Sequence, residues 1–249
     1  MAKTLILIPS RMAATRLPGK PLLKINNLSI ISHVFKKAEE ANIGEVVVAT
    51  DDQEIFKDVI KNGGNAILTN KKHKTGTDRI FEAYKKLDIK NVDYILNLQG
   101  DEPDINKDDI INLNNFMITK NAELGTLAAQ IQDDKMLNNK NVVKVITDKK
   151  LVDNNFPTAL NFTRDNLSTD NQNIYHHIGI YSYKVSILER FVSLDQTNNE
   201  KINKLEQLRA LDNKLKINVA LAKSSPIGVD TEEDYLAIKK IMEYKISNE

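Results

Sequence analysis

Apolar runs of strand length alternate, along the first half of the chain, with segments whose apolar residues recur at helical spacing. Thr4–Ile8 is such a run and predicts a buried strand. The segment Ser29–Ala41 follows and predicts a helix, because one helical face collects its apolar residues. Those residues are Ile30, Ile31, Val34, Phe35 and Ala38.

The same alternation continues to residue 98. Further strands are predicted at Glu45–Thr50, Asn65–Thr69 and Val92–Leu98. A helix at Gln53–Lys61 ends before two glycines, and Thr77 is the predicted cap of the next helix. Strands that alternate with helices in this order predict a mostly parallel sheet with helices on both faces, the α/β class.

The pattern changes at about Leu124, where strand-like segments follow one another with few helices between them. These segments are Leu124–Ile131, Val142–Thr147, Leu151–Phe162 and Ile174–Tyr183, with a hairpin turn at Asp148–Lys150. We interpret residues 124–195 as a smaller, mainly antiparallel layer within a single domain of residues 1–249. The chain then predicts a helix at Asn198–Leu211, a strand at Lys216–Ala222 and a helix from Thr231.

Composition excludes several kinds of protein. The absence of cysteine rules out disulfides, thiolate metal sites and thiol nucleophiles. A net charge of +1 argues against a nucleic-acid partner. The first apolar run is too short for a secretion signal or a membrane span and no longer run follows, so we expect a cytoplasmic protein without a membrane partner.

The loop after the first strand is basic. Arg11, Arg16 and Lys20 lie within a dozen residues of Pro9, in a loop interrupted by Pro18 and Gly19. In an open α/β sheet this loop lies at the carboxyl ends of the strands, where ligands bind. The charge suits a polyanion such as a nucleoside triphosphate, although a solvated basic loop is the alternative. No glycine-rich dinucleotide or P-loop motif is present, so side chains would hold the phosphates.

Two aspartates are candidates for the same edge of the sheet. Asp101 directly follows the strand that ends near Leu98, where it either binds Mg²⁺ together with substrate phosphates or only caps a turn. Thr231 and Asp234 form a capping box that explains both residues without function. Asp230 lies outside that box and would provide a second carboxylate for a metal site.

Two other candidates are weaker. His176 and His177 are neighbours in a predicted strand, so they face opposite ways and only one of them points inwards. On the residues alone, His177 is best interpreted as a hydrogen-bonded interior histidine. Ser10 lacks the G-x-S-x-G context of a nucleophile.

Taken in order, these segments resemble the 3-deoxy-manno-octulosonate (Kdo) cytidylyltransferases, also called CMP-Kdo synthetases, over nearly the whole chain. The basic loop, the Gln99–Pro103 segment and the Gly228–Thr231 segment carry most of the resemblance through their spacing. The CMP-sialic acid synthetases share a related loop and fold, but Gln99–Pro103 and His177–Tyr181 look more like the Kdo enzymes. The matching segments are Ile8–Arg11, Thr15–Pro21, Val48–Asp51, Thr75–Arg79, Asn97–Pro103, Val143–Val145, His177–Tyr181, Leu205–Arg209 and Gly228–Thr231.

The resemblance implies a nucleotidyltransferase with a Rossmann-like sheet. It implies the reaction of CTP with Kdo to give CMP-Kdo and pyrophosphate, with Mg²⁺ and without a covalent enzyme intermediate, for lipopolysaccharide biosynthesis. It also implies a homodimer formed through the antiparallel layer, which would carry the sugar pocket. The alternatives are another acidic sugar (amino-Kdo or sialic acid), a glycosyltransferase, for which the usual D-x-D motif is missing, and a non-catalytic regulator.

The resemblance also assigns roles to individual residues. Catalytic roles fall to Arg11, Arg16 and Lys20, and metal binding falls to Asp101 and Asp230. Nucleotide binding is implied for Ser10, Arg11, Lys20, Thr75, Gly76, Thr77, Arg79, Gln99 and Asp101. Sugar binding is implied for Arg164, His177, Tyr181, Glu206 and Gln207. Two departures from the family pattern are the polar loop at Asp165–Asn173 and His176, where many relatives have Lys or Arg.

Overall fold

The protein, for which we describe a computed structural model, divides into two compact units. The first comprises residues 1–110 and 226–249, and the second comprises residues 111–225. The structure describes residues 2–13, 16–166 and 173–246. Thr15 of the basic loop and residues 167–172 of the polar loop therefore lie outside the described residues. The single domain of residues 1–249, with its layer at residues 124–195, stays a prediction.

The strands and helices follow one another in chain order. The strands are β1 (Thr4–Ser10), β2 (Lys24–Ile25), β3 (Leu28–Ser29), β4 (Gly44–Thr50), β5 (Ala66–Leu68), β6 (Tyr94–Asn97), β7 (Leu124–Ala129), β8 (Lys144–Thr147), β9 (Ala159–Thr163), β10 (Ile174–Lys184) and β11 (Ile217–Leu221). The helices are α1 (Ile30–Glu40), α2 (Gln53–Lys61), α3 (Gly76–Leu87), α4 (Lys107–Thr119), α5 (Asp134–Asn138), α6 (Val185–Ser193), α7 (Asn198–Asn203), α8 (Leu208–Asp212) and α9 (Glu232–Ile246).

In the first unit the strands form a parallel sheet in the order β6-β1-β4-β5. The side chains of β1 are buried from Thr4 to Ile8, as expected for a parallel strand covered on both faces. The apolar face predicted for α1 is the face that the helix buries. The α/β class with a mostly parallel sheet is thus confirmed.

In the second unit the pairing is mainly antiparallel, as predicted. β10 runs antiparallel to both β7 and β8, and β9 runs antiparallel to β8. β11 pairs with β7 in parallel. The β8–β9 pair is the predicted hairpin, but its connection extends from residue 148 to residue 158 and is much longer than the Asp148–Lys150 turn.

Two element predictions were wrong, and some helices were not predicted. The strand predicted at Leu151–Phe162 begins only at Ala159, because the Asn155 side chain bonds the backbone of Val152 and Lys150 and holds a turn. The helix predicted at Asn198–Leu211 is two short helices, since Lys204 adopts the left-handed conformation with φ 53° and ends the first. The sequence analysis missed α4, whose many asparagines have low helix propensity, and α6.

Within the described residues, no helix has the length and apolar composition that crossing a membrane requires.

The turn after β6 passes directly over the end of β1. A Cβ atom on Gly100 would lie 2.8 Å from the carbonyl oxygen of Pro9 and 3.2 Å from the Cδ1 atom of Ile31. A contact of 2.8 Å with backbone is closer than side chains tolerate. Glycine is therefore what allows Asp101 to lie beside the loop that follows β1.

We expect Gly100→Ala to lower the free energy of unfolding by roughly 1–3 kcal/mol, because the β1 and β6 termini must separate to admit the methyl group. Urea unfolding followed by circular dichroism measures this change. Gly228→Ala is the matched control, since a Cβ there meets nothing within 4 Å. Equal stability of the two variants would contradict the close approach described for Gly100.

Candidate active site

A cavity of about 380 Å³ opens in the first unit at the carboxyl ends of β1 and β6. The residues around it come from the loop after β1, the N-terminus of α3, the turn after β6 and the segment before α9. Its lining includes most of the predicted catalytic, nucleotide-binding and metal-binding residues. These are Ser10, Arg11, Arg16, Lys20, Thr75, Gly76, Arg79, Gln99, Asp101 and Asp230.

Lys20 lies between the two predicted metal-binding aspartates. Its Nζ atom is 2.6 Å from Oδ2 of Asp101 and 3.2 Å from Oδ1 of Asp230. The same ammonium donates to the carbonyl oxygen of Val229 at 2.7 Å. On the other side of Asp230, Nη2 of Arg16 lies 2.8 Å from Oδ2. Two cations and two carboxylates therefore cancel in formal charge.

The arrangement fits a magnesium ion. The Lys20 ammonium already shows that the two carboxylates converge on one point where positive charge is favourable. Mg²⁺ commonly binds through one or two carboxylates and completes its coordination with substrate phosphates and water. Among the described residues no group of three or more acidic or histidine side chains could hold a metal ion. Two carboxylates that leave further coordination positions to a substrate are the protein ligands that this pattern requires.

Glu102 adds little negative charge to this edge at neutral pH. Burial, and secondarily the charge of Asp101, raises the pKa of Glu102 to about 8. Its Oε2 atom is buried, and no described residue hydrogen-bonds to it. Asp101 and Asp230 line the cavity beside the basic loop, whereas Glu102 is not among its lining residues.

The N-terminus of α3 forms another wall of the cavity. Thr75, and not Thr77 as predicted, caps this helix: its side chain accepts a hydrogen bond from the Asp78 amide at 3.1 Å. Thr77 is 1% exposed and faces the core, so it does not line the cavity. The wrong assignment arose because both threonines precede the apolar residues of the helix at a distance suitable for a cap.

Sequence reasoning missed two residues of this wall, His73 and Lys74. His73 bonds Glu82 through Nε2, and Glu82 also accepts from the Asn70 amide at 2.9 Å and from Lys86 at 2.6 Å. Burial acts to raise the pKa of Glu82, but these hydrogen bonds outweigh it and lower the pKa to about 2. The only signal in the sequence was their position just before the Thr75–Gly76 pair.

Arg79 and Ser10 lie deeper in the wall. Arg79 is 3% exposed, and its guanidinium contacts Oγ1 of Thr69 at 2.7 Å and Oδ2 of Asp51 at 3.3 Å. These contacts fasten α3 to the ends of β4 and β5. The Ser10 hydroxyl is buried, and no described residue hydrogen-bonds to it.

The second unit holds the predicted sugar-binding residues. His177 is 8% exposed, and its Nε2 lies 3.1 Å from the Thr126 hydroxyl and 3.0 Å from the Tyr181 hydroxyl. Burial, with smaller contributions from His176 and Arg164, lowers the pKa of His177 to about 3. The structure thus confirms the interior, hydrogen-bonded histidine. Burial also raises the pKa of Tyr181 well above its usual value, and the charge of Glu206 contributes to that rise.

The other predicted sugar-binding residues are held in different ways. Arg164 donates from Nη1 to the carbonyl oxygens of Lys140 and Asn141, at 3.3 and 3.1 Å. Glu206 lies 3.6 Å from Arg209, whose main partner is the buried Glu200 at 2.7 Å. Gln207 is buried at the start of α8. His176 is half-buried, and its Nδ1 lies 2.5 Å from the hydroxyl of Ser225.

The family model and the sequence relatives of this chain agree on one family, the cytidylyltransferases. A family model described as cytidylyltransferase matches residues 5–217. The 3-deoxy-manno-octulosonate cytidylyltransferase of Rhodopseudomonas palustris is 45% identical over 245 residues, covering 96% of this chain and 98% of the relative. The protein of that name from Thermodesulfovibrio yellowstonii is 42% identical over 255 residues, covering 96% of this chain and 98% of the relative.

Solved structures agree with the sequence relatives. The CMP:2-keto-3-deoxy-manno-octonic acid synthetase complexed with CTP is similar, with a TM-score of 0.88 and 32% identity over 98% of this chain and 100% of that chain. A 4-diphosphocytidyl-2C-methyl-D-erythritol synthase from Anaerococcus prevotii has a TM-score of 0.65 at 13% identity, covering 97% of this chain and 99% of that one. At that identity, the second similarity concerns the fold alone.

The buried His177 predicts a pH-dependent stability. Its folded-state pKa lies below its ordinary value, so the unfolded chain binds more protons and stability falls as pH drops from about 6.5 towards 3. Between about pH 7.5 and pH 5.5 we expect this residue to account for a loss of roughly 1 kcal/mol. Urea unfolding of the wild-type chain and of His177→Gln, which retains a polar side chain, should give a shallower pH dependence for the variant. Parallel pH profiles would contradict a buried, neutral His177.

Proposed function

The chain belongs to the 3-deoxy-manno-octulosonate cytidylyltransferase family, and we propose that it transfers the cytidylyl group of CTP to the anomeric hydroxyl of Kdo. The products would be CMP-Kdo, for lipopolysaccharide biosynthesis, and pyrophosphate. The observation that carries the proposal is the meeting of Lys20 with Asp101 and Asp230 in a cavity lined by further cations. Such a cavity suits a nucleoside triphosphate and the charge that develops when pyrophosphate leaves.

The chemistry is a direct displacement. The anomeric oxygen of the sugar forms a bond to the α-phosphorus of CTP, the bond from that phosphorus to the bridging oxygen breaks, and the hydroxyl proton is released. No group of the chain needs to form a covalent intermediate, which agrees with the absence of cysteine. Catalysis then depends on orientation and on charge stabilisation, both of which rigidly placed cations provide.

Arg11, Arg16 and Lys20 would carry out that work on the triphosphate. Lys20 and Arg16 would exchange their present aspartate partners for phosphate oxygens, and the leaving pyrophosphate would keep these contacts. Asp101 and Asp230 would hold Mg²⁺, which supplies positive charge to the phosphate oxygens and lowers the pKa of the attacking hydroxyl. Ser10, which lines the cavity, would also contact the nucleotide.

Cytidine would be bound by the start of α3 together with Gln99. Thr75 and Gly76 line the cavity at the N-terminus of α3. Arg79 would act mainly by fixing this helix, because Thr69 and Asp51 already hold its guanidinium. Thr77 would contribute through the helix and not through its buried side chain.

The sugar would be bound by residues of the second unit. A carboxylate and many hydroxyls call for one cation together with amide, phenol and imidazole groups. We propose Arg164 for the carboxylate and His177, Tyr181, Glu206 and Gln207 for the hydroxyls. The neutral His177, with a pKa of about 3, would serve as a hydrogen-bonding group and not as a charge.

We also propose a cytoplasmic homodimer formed through the antiparallel layer. Supporting this, β9 exposes Leu160 at 60% and the preceding loop exposes Val152 at 45%. Apolar side chains exposed on an edge strand favour burial against a partner.

The nearest alternative is the same transfer to another acidic sugar, amino-Kdo or a sialic acid. Both candidate substrates are tested by measuring pyrophosphate release from CTP and Mg²⁺ by the purified chain. Kdo, amino-Kdo, sialic acid or no sugar is added in separate reactions. Release with Kdo supports the proposal, and preferential release with another sugar replaces the substrate while retaining the chemistry. No release with any acidic sugar, from folded protein that binds CTP, would favour a regulator.

Asp101→Asn removes a predicted metal ligand at nearly constant volume. We expect kcat for pyrophosphate release to fall by about 100-fold or more, because charge stabilisation in the transition state is lost. Glu233→Gln is the control, since this carboxylate is exposed and lies outside the cavity lining. Similar kcat values for the two variants would argue against a metal role for Asp101.

Lys20→Met should increase the affinity for Mg²⁺ alone, because the ammonium no longer neutralises Asp101 and Asp230. In thermal unfolding without nucleotide, the half-saturating Mg²⁺ concentration should drop by a factor of roughly 3 to 10. Lys24→Met, at an exposed lysine, should titrate like the wild-type chain. A Lys20→Met response equal to that of Lys24→Met would contradict Mg²⁺ binding between the two aspartates.

A further inference from the structure

The charged groups around the cavity are paired unevenly. Lys20 and Arg16 are matched by Asp101 and Asp230, as described above. Arg79 is matched by Asp51. Among the residues that the structure describes, the lining cations without a carboxylate partner are Arg11 and Lys74.

A fully ionised triphosphate brings about four negative charges. A cation that must first give up a carboxylate gains little from the exchange, because it exchanges one anionic partner for another. A cation without such a partner contributes its whole attraction. Until a metal ion takes Asp101 and Asp230 from Lys20 and Arg16, Arg11 and Lys74 are therefore the lining cations whose charge is directly available to an arriving anion.

The backbone around Lys74 is fixed on both sides. His73, one residue earlier, is bonded to Glu82, which is held in turn by the Asn70 amide and Lys86. Thr75, one residue later, caps α3. Lys74 thus projects from an anchored segment at the N-terminus of a helix, where the helix dipole also favours negative charge.

We propose that Lys74 is a further triphosphate-binding residue, which pairs with phosphate oxygens of CTP from the α3 side of the cavity. This inference rests on the proposed function. Lys74 and the basic loop line the same cavity, so the triphosphate would be held by cations of two separate chain segments. Its contribution to binding should increase with the number of phosphates on the nucleotide and should weaken as salt screens the charge.

The test is the binding of CTP, CMP and cytidine to the full chain by calorimetry, with Mg²⁺ and without sugar. We expect Lys74→Met to raise the Kd for CTP roughly three- to tenfold, the Kd for CMP less, and the Kd for cytidine not at all. The increase for CTP should shrink at high salt. Lys74→Arg, which retains a cation, should bind CTP nearly as the wild-type chain does.

Lys72→Met is the matched control. Lys72 is exposed in the same segment and does not line the cavity, so the variant makes the same change in net charge at a neighbouring position. Equal CTP affinities for Lys74→Met and Lys72→Met would overturn the inference, as would an equal loss for CTP and cytidine. If the folded wild-type chain binds neither CTP nor CMP, the proposed function itself fails and the inference fails with it.

Discussion

The ammonium of Lys20 is the contact on which the rest of the site depends. It joins the loop after β1, the turn after β6 and the segment before α9 through Asp101, Val229 and Asp230. The amide of Val229 also donates to the carbonyl oxygen of Asp101 at 2.9 Å, so the two acidic segments are bonded to each other as well as to the lysine. Without a cation at this point, two ionised carboxylates would repel each other across a gap that the backbone keeps narrow.

The sheet explains why those segments meet. β1 and β6 are adjacent and parallel, so the residues that follow them emerge at the same edge. Gly100 then allows the turn to pass over Pro9 at a distance that no side chain tolerates. The order of the strands, the close turn at Gly100 and the charge of Lys20 therefore act together to place Asp101 beside the loop after β1.

Much of this arrangement is readable from the sequence. The continuous apolar run of β1 and the β-branched run of β4 identify buried parallel strands, and polar residues directly after β1 and β6 identify the ligand edge. Asp230 was chosen as a candidate because the capping box explains Thr231 and Asp234 but does not require Asp230. The strand predictions rest on short-range patterns, which is why the structure confirms them, and Asp230 lines the cavity while its metal role stays a prediction.

The failures concern features that only three-dimensional contacts determine. His73 and Lys74 lie in a polar segment that resembles an ordinary surface loop, and only the bonds to Glu82 turn it towards the cavity. The break between α7 and α8 requires Lys204 in the left-handed conformation, which cannot be predicted from a lysine in the sequence. Likewise, the sequence suits either Thr75 or Thr77 as the cap of α3. In the structure Thr75 caps the helix, while the side chain of Thr77 is buried in the core.

The first unit is assembled from two distant stretches of chain, and this has a consequence for biosynthesis. Asp101 leaves the ribosome about 130 residues before Asp230, with the whole second unit translated in between. At typical elongation rates of roughly 5–20 residues per second, about 6 to 26 seconds pass between the synthesis of Asp101 and that of Asp230. During that interval the nascent chain has the basic loop and one aspartate but not the completed pair. The pair of carboxylates around Lys20 is therefore completed late in translation, after every residue of the second unit has been made.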